Sequence, residues 1–243
     1  MASLTTEQIA AYRREGYVLF HEQLFEPAEL DALNSLFEEH LAEKGDKLSD
    51  ELDTPHFRDS RLLEFLLHTK VLDLVEPITG SDIAVWSSHF ICKEPYTGRA
   101  TPWHEDSAYW EGSVSSYDNI VTVWLALDRS TRENGCMRVI PGSQVNGFSQ
   151  YEEVDRANHT FGSQIVDVDD SRAVDFELER GECSLHDARI IHGATPNTSP
   201  HRRCGYTMRY MPASTRVIAE RHPGHKVWLA RGRPYPGCMY ENG

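Results

Sequence analysis

The sequence predicts a helical N-terminal third followed by an all-β core of the sandwich or jelly-roll kind. Three observations carry this. Apolar residues recur at helical spacing up to about residue 80, short β-prone runs replace them from residue 82, and turn-forming residues punctuate those runs. The chain has 243 residues, of which 40% are hydrophobic and 26% charged. Such a chain can bury a substantial core. It is expected to form a single domain over 1–243, with 1–80 as a helical part packed on an 81–243 jelly-roll core that also carries loops and a C-terminal segment.

The elements follow in order. Residues 5–14 read as a short helix, with Thr5 or Thr6 as cap and Ile9 and Tyr12 at helical spacing. Gly16 ends it, and Tyr17-Val-Leu-Phe20 reads as a strand. Pro27 opens a second helix to about His40, with Leu30, Leu33, Phe37 and Leu41 on one stripe. The polar stretch 42–58 reads as loop. Leu62 to Val75 reads as a further helix that ends before Pro77 and Gly80. The β-prone runs are Ile83–Trp86, His89–Cys92, Ile120–Leu127, Met137–Ile140, Val174–Leu178 and Cys204–Tyr210. Asn134-Gly135, Pro141-Gly142, Gly181 and Pro196-Asn197 supply the turns.

Composition narrows the partners. Asp and Glu number 38 against 24 Lys and Arg, for a net charge of -14. That balance argues against nucleic-acid binding and against docking on an anionic membrane. The five cysteines are scattered without a Cys-x-x-Cys pair, so neither a disulfide framework nor a zinc-thiolate site is expected. The N-terminus lacks the basic and apolar segments of a signal peptide, and no apolar run is long enough to span a membrane. A reducing, cytoplasmic setting is the expectation. Oligomeric state is not legible in the sequence.

The chemistry begins at His104-Glu105-Asp106. On a strand, His104 and Asp106 share one face and Glu105 points to the other. One imidazole beside one carboxylate makes two thirds of a facial triad, the arrangement that holds non-haem Fe(II). The alternative is a solvated histidine beside a surface aspartate. Two histidines compete for the third position in Leu185-His-Asp-Ala-Arg-Ile-Ile-His-Gly-Ala-Thr-Pro-Asn197. His192 precedes Gly193 and a small-residue turn, whereas His186 suits a place behind the ligands or in the core. Arg203 offers a fixed fork of donors for a carboxylate. Its neighbour Arg202 should face the opposite side of the same strand.

These residues occur in a recognisable order. His104-x-Asp106 is followed by Val123-Trp-Leu-Ala-Leu-Asp128 and Glu133-Asn-Gly-Cys-Met-Arg-Val-Ile-Pro-Gly-Ser143. His192-Gly-Ala-Thr-Pro-Asn197 and Arg203 complete it. The chain resembles the phytanoyl-CoA dioxygenase-like family, Fe(II)- and 2-oxoglutarate-dependent oxygenases on a double-stranded β-helix (a cupin-like jelly roll). The opening helix with Gly16-Tyr17-Val18 extends the likeness to nearly the whole chain.

The resemblance implies His104, Asp106 and His192 as iron ligands. It implies Arg203 as partner of the distal carboxylate of 2-oxoglutarate, with Trp124 and His89 lining the co-substrate pocket. Where the family carries a serine two positions after the distal histidine, this chain has Ala194. Lys93 shares the face of His89, either to meet an anion or to stay solvated. Related halogenases lack the carboxylate ligand, so Asp106 favours a hydroxylase. The implied cofactors are Fe(II), 2-oxoglutarate and O2, and the implied partner is a small organic substrate. Tyr109, Trp110 and Tyr117 are read either as an aromatic wall for that substrate or as loop packing. Arg221–Trp228 is read as a lid on the same terms. The competing functions are a cupin-like metal-dependent isomerase or lyase and a non-catalytic metabolite-binding domain.

Overall fold

The computed structural model describes residues 3–241. Helix α1 (Thr6–Glu15) begins at a capping box. The Thr5 hydroxyl accepts from the Gln8 N–H, and the Gln8 side chain accepts from the Thr5 N–H. Gly16 closes the helix at φ +83° and delivers the chain into β1 (Tyr17–Phe20). Helix α2 (Pro27–Ala42) starts on Pro27 and buries Leu30, Leu33, Leu36 and Phe37. The stretch read as loop holds a two-residue strand, β2 (Leu52–Asp53), and a 3-10 turn at Pro55–Phe57.

The single helix expected over Leu62–Val75 is two, α3 (Leu63–Leu66) and α4 (Thr69–Thr79). His68 makes the break: its backbone is extended and its ring Nδ1 accepts from the Lys70 N–H. Helix α4 then continues through Pro77 instead of stopping before it. So near a helix end, proline removes only one internal hydrogen bond.

The β part comprises β3 (Ile83–Lys93), β4 (Thr101–His104), a short helix α5 (Asp106–Tyr109), β5 (Val121–Ala126), β6 (Met137–Val139), β7 (Tyr151–Glu153), β8 (Ser163–Ile165), β9 (Val174–Asp175), β10 (Cys183–Asp187), β11 (His192–Ala194), β12 (Arg203–Pro212) and β13 (Trp228–Arg231). The two runs read at 83–86 and 89–92 are one strand, because β12 pairs along the whole of β3. The run at Val174–Leu178 forms a ladder only at its start, and Leu178 makes an isolated bridge to Ser130.

A seven-stranded antiparallel sheet has the order β1-β10-β5-β12-β3-β13, with β2 also on β3; a four-stranded sheet has the order β4-β11-β6-β9. This is the mainly β jelly roll with N-terminal helices that the sequence predicts.

Period-two alternation sorts the large sheet into two faces. Cys204, Tyr206, Met208 and Tyr210 of β12 pack with Val121, Val123 and Leu125 of β5 against the apolar stripes of α2 and α4. Each such buried side chain contributes about 1.5–3 kcal/mol of transfer free energy. The opposite face turns toward the small sheet. There Trp124 and Ala126 meet Met137 and Val139 in a second core. The remaining inward positions, on β3, β10 and β12, surround a cavity.

Candidate metal centre and co-substrate pocket

His104 ends β4 and His192 begins β11, and the two are direct cross-strand partners. Their ring centroids lie 4.0 Å apart. The His104 Nδ1 lies 2.8 Å from the Pro102 carbonyl and the His192 Nδ1 lies 2.9 Å from the Ile190 carbonyl. A carbonyl only accepts, so each Nδ1 carries the proton and each Nε2 presents a lone pair. Backbone hydrogen bonds of this kind orient imidazoles for metal binding.

Asp106 arrives differently from the strand reading. Strand β4 stops at His104, and Asp106 is the first residue of α5. Its carboxylate still converges, with Oδ1 at 3.7 Å from His104 Nε2 and 3.9 Å from His192 Nε2. The other oxygen, Oδ2, accepts from Arg209 Nε at 3.1 Å and from the Thr122 hydroxyl at 3.3 Å. One oxygen is therefore anchored to the large sheet and the other faces the imidazoles. Burial works to raise the Asp106 pKa, the Arg209 guanidinium is first among the groups that oppose it, and the carboxyl is held well below its usual range. Burial, and then the neighbouring His104, push the His192 imidazole far down. A neutral imidazole and an ionised carboxylate are the ligand forms a cation requires. Among the described residues these three form the one cluster whose ligand atoms converge, all within 4.8 Å of one another.

Glu105 points away from the cluster, as read from the sequence, yet it is only 1% exposed. Its carboxylate accepts from the Ser149 hydroxyl at 2.5 Å and the Tyr151 hydroxyl at 2.7 Å. The Tyr151 oxygen also accepts from the Glu105 N–H. The chain between the two ligands is thus clamped to the start of β7.

His186 lines the same cavity, its ring centroid 5.0 Å from that of His192. It stands behind the three-residue cluster. Burial pushes its pKa down to about 4, and its Nδ1 has no hydrogen-bond partner among the described residues.

Arg203 is 3% exposed, and its guanidinium carbon lies 4.9 Å from the Trp124 ring centroid. It has no carboxylate partner among the described residues, and its Nε is buried without a hydrogen bond. A buried guanidinium with open donors fits an anion brought from outside. Arg202 faces the other way, paired with Asp128 and Glu38. His89 and Ala194 line the cavity, and His89 donates from Nε2 to the Asp50 carbonyl.

Lys93 corrects the solvated alternative, since it is 0% exposed and donates to the Arg99 and Thr195 carbonyls. The two carbonyls hold its ammonium end inside, against the cost of burial.

A wider cavity of about 680 Å³ opens beyond Asp106 and Arg209, within the range of small-molecule sites. Tyr109 and Trp110 line it, as do His222, Pro223, Gly224 and His225 of the segment read as a lid. His225 lies against Trp86, with ring centroids 4.1 Å apart, and donates to the Trp86 carbonyl. Tyr117 is not in that wall, because its hydroxyl is spent on the Trp110 carbonyl and the Gly112 N–H.

Sequence reasoning missed Arg209, Thr122 and Phe161. Arg209 was within reach, since it sits six positions after Arg203 and so shares its face of β12. Phe161 packs edge-on to His104 with centroids 4.9 Å apart, but it comes from an irregular loop with no period to read.

Fold and cluster together define a class: jelly-roll proteins with a two-histidine, one-carboxylate site in the cavity between the sheets. The comparisons agree. The phytanoyl-CoA dioxygenase (PhyH) family model matches residues 12–205. A phytanoyl-CoA dioxygenase domain-containing protein 1 homolog of Dictyostelium discoideum is 23% identical, over 96% of this chain and 98% of its own. The solved structure of the non-heme monooxygenase ThoJ, in its apo form, superposes with a TM-score of 0.80 at 25% identity, covering 97% of this chain and 87% of that one. The epimerase SnoN, in complex with Fe3+, alpha-ketoglutarate and nogalamycin RO, gives a TM-score of 0.73 at 20% identity, over 98% and 95% of the two chains. The chain belongs to the phytanoyl-CoA dioxygenase family.

Proposed function

We propose that this protein is a non-haem Fe(II)- and 2-oxoglutarate-dependent dioxygenase that hydroxylates an unactivated C–H bond of a small organic substrate. The observation that carries the reading is the union, in one cavity, of three converging ligand atoms and a buried guanidinium without a carboxylate partner among the described residues. His104, Asp106 and His192 hold the metal. Arg203 binds the distal carboxylate of 2-oxoglutarate, with Trp124 and His89 as walls of its pocket. Bound together, Fe(II), 2-oxoglutarate and O2 supply the C–H oxidation, with succinate and CO2 as co-products.

The chain's own part is to orient and to exclude water. The Pro102 and Ile190 carbonyls fix both imidazoles, Arg209 and Thr122 fix Asp106, and Phe161 with Tyr109 covers His104 on the solvent side. Tyr109 and Trp110 contact the substrate. No separate general base is assigned. The Asp106 carboxylate fills the position that a halogenase leaves open, which favours hydroxylation. We further propose that 1–243 acts as one domain. The five free cysteines suit a reducing, cytoplasmic setting.

The test is turnover of labelled 2-oxoglutarate by the Fe(II)-loaded protein with ascorbate. Slow CO2 release without substrate is expected, rising when a substrate panel reaches the right compound. Arg203→Ala should chiefly raise the 2-oxoglutarate concentration required. No CO2 release across the panel, with no 2-oxoglutarate binding in an anaerobic Fe(II) titration, would overturn the reading. It would leave the isomerase or lyase and the binding domain as the alternatives.

A further inference from the structure

Lys93 and Arg203 are direct partners across β3 and β12, so their side chains leave the sheet on the same face, with Cβ atoms about 5 Å apart. Like charges directly opposite in a sheet are destabilising, and burial compounds the cost. Both residues are buried, at 0% and 3% exposure. Among the described residues neither has a carboxylate within ion-pair distance. Asp50 is the acid that acts most on Lys93, and both its oxygens are already taken by Arg99, at 3.2 and 2.7 Å.

The chain nevertheless makes room for this lysine. A Cβ on Gly98 would stand 2.6 Å from the Lys93 Cβ, and one on Gly135 would stand 3.2 Å from its Cδ. The ammonium end is held by the Thr195 carbonyl at 2.8 Å and by the Arg99 carbonyl. Thr195 directly follows Ala194, which lines the cavity. Two facing cations in a prepared enclosure, without an internal anion, indicate that the anion comes from outside.

We propose that Lys93 supplies a second positive charge, through space, to the anion subsite lined by Arg203, and so tunes it to a dianionic co-substrate. The proposal rests on the 2-oxoglutarate reading given above. Lys93 does not line the cavity, so it touches no co-substrate atom and acts by its field and by holding the Thr195 backbone. Burial first, and then Arg203, hold the Lys93 pKa well below the usual lysine range; Arg99 pushes the same way, and Asp50 and Cys136 oppose. An arriving carboxylate stabilises the charged form. Co-substrate affinity should therefore fall as pH rises and Lys93 loses its proton.

Lys93→Gln keeps a donor for the two carbonyls and removes the charge. In anaerobic titrations of the Fe(II)-loaded protein, Lys93→Gln should bind 2-oxoglutarate about tenfold more weakly, the size of a nearby charge in a partly screened interior. Fe(II) binding without 2-oxoglutarate should be unchanged, and the fall in affinity with rising pH should disappear. Equal affinity of variant and wild type at every pH would overturn the proposal and make Lys93 a backbone tether only. If neither Lys93→Gln nor Lys93→Met folds, the wild-type profile decides: a fall with rising pH supports the proposal, and a flat profile overturns it. A wild-type protein that binds Fe(II) but no 2-oxoglutarate at any pH would overturn the function itself, an outcome distinct from failure of the variant alone.

Discussion

Arg209 holds the Asp106 carboxylate and Glu105 holds the chain beside it, and each makes a separable prediction. The Asp106 pKa is depressed, so the carboxylate's contribution is present above the ordinary aspartate pKa and is lost only as pH falls through the lower folded value. Arg209 is the largest influence opposing burial. Arg209→Leu should therefore raise the Asp106 pKa, and metal binding should begin to fail at a higher pH than in wild type. Metal titrations across the acid range measure this, and an unmoved profile would show that Arg209 is not what keeps the carboxylate ionised. Breaking the buried pair should also cost about 3–5 kcal/mol of stability in denaturant unfolding. For Glu105, the sequence indicates only a side chain that points away from the other two; the structure buries it against Ser149 and Tyr151. Glu105→Ala should cost about 2–4 kcal/mol. Its folded fraction should keep metal-dependent turnover, because none of its carboxylate contacts is to a ligand side chain.

Strands β5 and β12 carry Trp124 and Arg203 into one pocket, and Gly205 is what lets them meet. The Trp124 indole lies across the Gly205 backbone, where any Cβ would collide with its ring. Gly205→Ala should displace the indole from Arg203, cost about 1–3 kcal/mol as overpacking, and weaken 2-oxoglutarate more than it weakens metal. Separate titrations of the two make the comparison; equal losses would mean a general sheet defect instead. Elements with a clear local signal were legible: α1 from its cap and Gly16, α2 from its stripe, and most of β12 from its β-prone run. His104, Asp106 and His192, which the structure brings together, were named in the sequence from residue type and order, with the family resemblance deciding between His186 and His192. The break at His68 was not, since it depends on one side chain capping the next helix. Nor was α5, where the chain leaves β4 after His104 and the Ser107 N–H bonds the Ala188 carbonyl from a distant segment. Asp106 thus reached its place by tertiary contact, not by the alternation first assigned to it.

At the scale of the molecule, the candidate centre joins the two sheets. His104 and His192 belong to the small sheet, whereas Asp106 is tied by Arg209 and Thr122 to β12 and β5 of the large one. An ion held by all three ligands binds the folded state and loses its site when the sheets separate, so occupancy should stabilise the whole fold by mass action. At a free-metal concentration one hundred times Kd the gain is about 2.7 kcal/mol. For a chain of this size that should raise Tm by about 5–10 °C, and chelation should reverse it. His104→Ala and Asp106→Ala should fold and lose the shift, while Arg203→Ala should keep the metal shift and lose the further increment from 2-oxoglutarate. Thermal melts of the protein with chelator, with Fe(II) under nitrogen, and with Fe(II) plus 2-oxoglutarate test all of this in one series. A metal shift that survives Asp106→Ala would place the ion elsewhere and remove the basis for the proposed activity.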